Sequence, residues 1–128
     1  MKSKFAMGFR YFLGAIFFIF GLNGLHPFLP MPQPQMSEEA TAFMTGMMAT
    51  KYFFPFLKIT EVVVGLALLT NMFVPLALVV LAPITINIFL FHTIIAPEGM
   101  GMAVVIAVAH AYLGWFYKNK YSAILKAK

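Results

Sequence analysis

No cysteine occurs in the 128 residues. That excludes structural disulfides, CxxC redox motifs, thiolate metal sites and iron–sulfur ligation. Any redox role must use a bound cofactor or a partner's chemistry. Charge is scarce too. Only 10% of residues are charged and 62% are hydrophobic, whereas a soluble domain carries about a quarter charged residues. The four acidic residues are Glu38, Glu39, Glu61 and Glu98. No soluble-enzyme triad or phosphate loop is visible. Long uncharged runs that cross a bilayer account for this composition. The length admits one domain, 1–128, with about four spans of ~20 residues each.

The first apolar run follows Lys2, Lys4 and Arg10 and ends near Leu25, which predicts a span at about 6–25. It is too long for a signal-peptide core, and no small-x-small cleavage pattern follows it. Gly14, Gly21 and Gly24 recur at spacings of seven and three, along one face. Small residues there let helix backbones approach closely in lipid. Pro27, Pro30, Pro32 and Pro34 then forbid a regular helix through residue 35. Ser37 offers an N-cap, with Glu38 and Glu39 in the first turn. Phe43, Met44, Met47 and Met48 make one apolar face, so a short amphipathic helix lies at the membrane surface. It is either a connector or a lid, and methionines suit an adaptable surface.

Three more spans follow, at about 52–70, 72–95 and 102–117. Thr70–Asn71 is a tight turn, and Pro83 kinks the third span and frees the Val79 carbonyl. Trp115, Phe116 and Tyr117 end the fourth span as an aromatic belt. The fold class is all-α, a polytopic four-transmembrane-helix bundle with a short amphipathic helix in its first loop. Lys2, Lys4, Arg10, Lys118, Lys120, Lys126 and Lys128 fall on one side of this bundle. The positive-inside rule therefore puts both termini in the cytoplasm, with the first loop periplasmic in a Gram-negative cell. The net charge of +5 is thus largely a topology signal and not a nucleic-acid surface.

Lys58 and Glu61 interrupt the second run. A charged side chain near a bilayer centre costs about 2.5–3.5 kcal/mol or more. Their spacing puts both on one helix face, about 60° apart. They form either a structural ion pair that locks packing or a polar site for a ligand, proton or partner. Pro55, Lys58, Glu61 and Gly65 share one stripe, which predicts that it turns inward. By the helical rise, Lys58 lies ~9 Å deep, Glu61 ~14 Å, and Asn87 and His110 each ~12 Å. Asn23, His26 and His92 lie near the outer boundary. Together these seven residues are the candidate ligand-binding set, a polar pocket opening toward the amphipathic helix. Ala103, Ala107, His110 and Gly114 share a face, so His110 meets a neighbouring helix, either in the pocket or at a free carbonyl. Asn87 and His92 are about 140° apart on a regular helix. They share a centre only if the kink or a fraying end turns one of them. His92 and His110 differ by ~8 Å in depth, against a shared haem, and no metal-ligand spacing is matched. Proton transfer through Glu61 and His110 is a further chemistry open to this set.

The chain resembles the DoxX-like family of small four-span bacterial membrane proteins. The likeness lies in Gly21–Leu22–Asn23–Gly24–Leu25, in Lys58 and Glu61 followed by Gly65–Leu66–Ala67–Leu68–Leu69, and in Phe73–Val74–Pro75. It covers about Gly8 to Tyr117. The family is named after a membrane subunit of a thiosulfate:quinone oxidoreductase. The resemblance therefore implies a non-catalytic inner-membrane subunit or accessory of a quinone-linked system, with a membrane or periplasmic redox partner. No resident cofactor is certain; a quinone is the class considered. Two other readings stand beside it. One is a binder or carrier of a small hydrophobic or anionic molecule, with Lys58 as charge partner. The other is an assembly protein, in which the ion pair only fixes packing. The bilayer is the one partner every reading shares, and homo-oligomers are compatible with all three. Four-helix quinone reductases with thiol chemistry, of the vitamin K epoxide reductase type, are ruled out by the missing cysteines.

Overall fold

The structure, a computed structural model, describes residues 2–26 and 37–120. The proline-rich stretch from Pro27 to Pro34 and the tail lysines Lys126 and Lys128 lie outside these residues. Five α-helices follow in order. They are α1 (Lys2–Leu25), α2 (Glu38–Ala49), α3 (Phe53–Thr70), α4 (Val74–Leu90) and α5 (Met100–Phe116). No strand occurs among the described residues. The apolar stretches Lys4–Leu25, Phe53–Thr70 and Val74–Ile95 have the length and hydropathy to cross a membrane. The last long helix, α5, has 17 residues, at the lower end of what spans a bilayer.

Local chemistry explains the boundaries. α1 begins at Lys2, before the apolar run does, because Lys and Ser near a helix start do not break it. Ser37 caps α2, its Oγ accepting from the Ala40 amide at 3.1 Å, and Glu38 and Glu39 occupy the first turn. Asn71, at φ 60°, closes α3 in the left-handed conformation that asparagine tolerates. This reverses the chain into α4 over Asn71–Phe73. α4 runs through Pro83 without ending. Its last turn widens instead, with a π turn over Phe91–Ile95 closed by the Ala96 amide on the Phe91 carbonyl at 2.9 Å.

α1 packs most extensively on α3, antiparallel, and α4 packs on α5. The α1–α3 crossing depends on close approach. A Cβ on Gly65 would lie 2.5 Å from the Phe18 amide nitrogen and 2.8 Å from the Gly14 carbonyl oxygen. Only glycine at that position lets the backbones meet. The glycine stripe of α1 thus faces α3 as the spacing predicts. Leu13, Leu68, Leu81 and Leu113 are fully buried where all four long helices meet. These leucines come from the first half of α1, the second half of α3, the first half of α4 and the second half of α5. In an up-and-down bundle those halves form one end.

Candidate functional site

The other end of the bundle is hollow. A cavity of about 450 Å³ lies between the long helices, with α2 across it. α1 contributes Ile16, Phe17 and Phe20, and α2 contributes Phe43, Met44 and Met47. α3 supplies Phe53, Phe54, Leu57, Lys58 and Glu61. α4 and the π turn supply Pro83, Ile84, Asn87, Ile88, Phe91 and His92, and α5 adds Met102, Ala103 and Ile106. The wall is almost entirely apolar and aromatic. Its polar groups are one ammonium, one carboxylate, one amide and one imidazole.

Lys58 and Glu61 lie one turn apart on α3, and Nζ stands 3.5 Å from Oε1. Glu61 is buried, with 5% of its surface exposed. The stem of Lys58 packs against Gly24 of α1, where a Cβ would come within 2.7 Å of Lys58 Cδ and Cε. Its ammonium also sits 5.4 Å from the centroid of the Phe54 ring. The pair is thus held inward, and Lys58 turns to Glu61. The predicted stripe is followed except at its first member. Glu61 and Gly65 are buried and Lys58 partly so, while Pro55 is exposed. Pro55 stands one turn before Ile59, which is also exposed, on the lipid-facing side of α3.

Asn87 and His92 line the same cavity. They stand about 140° apart around the axis on a regular helix. Ile84, Ile88 and Phe91 lie between them on that arc and line the cavity too, so it takes in a broad face of α4 and the π turn. The Asn87 side-chain amide forms no hydrogen bond with another described residue and stays accessible inside a span. His92 is held firmly, its Nδ1–H donating to the Ala96 carbonyl at 3.0 Å. Its ring packs edge-on against Phe91, with centroids 5.1 Å apart. Gly99 leaves room for the ring, because a Cβ there would run into it.

The remaining candidates lie elsewhere. His110 does not join Glu61 and Asn87. It bridges α5 to α4, its Nε2–H donating to the Leu78 carbonyl at 3.0 Å and its Nδ1 accepting from the Thr85 hydroxyl at 2.8 Å. Since a carbonyl only accepts, this fixes the tautomer. His110 lines a separate groove with Ala82, Thr85, Ala107 and Ala111. Its acceptor is the Leu78 carbonyl and not the Val79 carbonyl that Pro83 leaves without its helix donor. Asn23 is partly buried and His26 is exposed at the end of α1, and neither lines the main cavity. Depth along a helix therefore misled for His110, because it carries no information about direction around the axis.

Arg10 is a residue whose part the sequence concealed. Counted as a flanking charge, it is in fact buried, at 7% exposure. Its guanidinium donates to the Leu68 carbonyl in the last turn of α3 and lies 4.6 Å from the Tyr11 ring centroid. A cation there complements the negative end of α3. Its position beyond Phe5 to Phe9, inside the apolar run, is the signal that could have shown this.

A DoxX family model matches residues 5–94, which takes in α1, α2, α3, α4 and most of the π turn. No curated protein and no solved structure matches the chain.

Proposed function

The chain belongs to the DoxX family, and from that premise we propose that it is a non-catalytic membrane subunit or accessory protein whose cavity holds a quinone for a redox partner. The observation that carries this reading is the cavity itself. Its volume falls in the range of small-molecule sites, about 300–1,000 Å³, and its wall is apolar with a few polar groups on one side. Aromatic and methionine side chains suit a flat, apolar ring. The Lys58 ammonium and the unpartnered Asn87 amide supply donors for a ring carbonyl. A polar group exposed inside a span without a protein partner is costly, and a ligand would satisfy Asn87. In this reading residues 1–128 form one transmembrane domain of the bacterial inner membrane, with both termini cytoplasmic. α2 covers the cavity from the periplasmic side.

The test is native mass spectrometry with quinone extraction on protein purified in mild detergent, comparing wild type with Glu61→Gln. The expected result is a stoichiometric quinone in wild type that is lost in the variant, with expression unchanged. Recovery of no quinone in either sample, together with a co-purifying membrane protein, would replace this reading by an assembly role. A second reading has its own support. Lys58 is seated against Gly24 and engages Glu61, as a pair that only fixes packing would be. In that case Lys58→Met with Glu61→Leu is tolerated in function as well as in stability, whereas loss of one partner destabilises strongly.

A further inference from the structure

The end of the cavity nearest α2 carries a donor set that the ion pair does not use. Met44 and Met47 are three residues apart on the face of α2 that lines the cavity, so their thioethers stand one above the other. Two contacts fasten this helix to the π turn. The Phe43 and Phe91 rings meet with centroids 5.1 Å apart. At the helix start, the Ser37 hydroxyl donates to the Ile95 carbonyl at 3.3 Å. Met44, Met47 and His92 all line the cavity at the end where α2 meets the π turn. The Ala96 carbonyl takes Nδ1–H, which makes Nε2 the nitrogen that carries the lone pair in the neutral tautomer. An imidazole held by a backbone carbonyl through its other nitrogen is the usual arrangement of a metal ligand.

The geometry points to a soft-cation site formed by Met44, Met47 and His92, with a monovalent d10 ion of the Cu(I) class as its ligand. Thioethers are soft donors that select Cu(I) and bind hard cations poorly. All three donors are neutral and the surrounding wall is apolar, which penalises a divalent ion more than a monovalent one. Among the described residues no three His, Asp or Glu side chains cluster, so a hard divalent ion lacks its donors there. Met102 of α5 lies in the same wall and is half exposed, free to serve as a fourth donor. Lys58 does not oppose the cation with a net charge, since Glu61 neutralises it. This inference does not rest on quinone binding, which would use Lys58, Glu61 and Asn87.

The test uses the full-length protein in mild detergent with 13C-labelled methionine methyls. It is titrated without chloride with Ag(I), a redox-inert d10 ion. The methyl signals of Met44 and Met47 should shift and saturate at one equivalent, and Zn(II) should leave them in place. Met44→Leu with Met47→Leu conserves volume, so the other methyl signals should stay where they are while Ag(I) affinity falls at least tenfold. His92→Gln should lower it similarly. Shifts confined to exposed methionines such as Met48 and Met72, equal affinity in the double variant, or no binding would each overturn the site. Asn87→Leu keeps the two ligands distinguishable, because it should lower quinone retention while Ag(I) still shifts the Met44 and Met47 methyl signals to saturation at one equivalent.

Discussion

The two ends of this bundle are made of different side chains. At one end glycine meets glycine across α1 and α3, and leucines from all four long helices fill the space between them. At the other end phenylalanines and methionines line the helices and leave about 450 Å³ open. In lipid there is no hydrophobic force to press helices together, so close packing must hold them. Small residues and leucines supply that packing at the first end. At the second, Gly21 still brings α1 close to α3, while phenylalanines and methionines face an open space that α2 lies across. Close packing and the open cavity thereby lie at opposite ends of the same four helices.

The largest expected effect comes from closing the glycine contact. Gly65→Leu would drive side-chain atoms into the Phe18 and Gly14 backbones, which cannot yield as a flexible side chain can. No monodisperse folded protein should be recovered in mild detergent; wild-type recovery would show that the crossing does not hold the packed end. Next in size is the ion pair. Lys58→Met alone leaves the buried Glu61 carboxylate unpaired and should cost about 3–5 kcal/mol in reversible unfolding. Adding Glu61→Leu should restore most of that stability without restoring quinone retention. Sharper as a comparison is a pair of truncations. Leu68→Ala in the packed end should cost about 2–5 kcal/mol, because its neighbours close around it. Met47→Ala at the cavity should cost about 1 kcal/mol, since it enlarges a space already open. Equal costs would remove the distinction between the ends. The smallest effect is expected at Gly24→Ala. The atoms nearest the new methyl all belong to the flexible stem of Lys58, so thermal stability should hold while quinone affinity shifts a few-fold.

Much of this was legible in the sequence because the features concerned are periodic or costly. The apolar runs gave the spans, and the spacing of Gly14, Gly21 and Gly24 gave the face that meets α3. Lys58 and Glu61 stood out because two ionisable residues in an apolar run have few solutions, and a mutual pair is one. Ser37 announced its own cap. What stayed hidden depends on direction around a helix axis or on how wide a face the cavity takes in. His110 has the depth of Glu61 but faces Thr85 and Leu78. Asn87 and His92 share the cavity although they stand far apart around the helix axis, because Ile84, Ile88 and Phe91 between them line it too. Arg10 read as one more basic residue near a terminus, since its acceptor is a backbone carbonyl 58 positions away.

The division into a packed end and a ligand-holding end is tested most directly by photolabelling with an azido-quinone in membranes, followed by peptide mapping. Label is expected on the segments Phe53–Glu61 and Ile84–His92, displaced by excess unmodified quinone. Label spread over the lipid-facing residues of α3 and α4, with no displacement by the competitor, would contradict it.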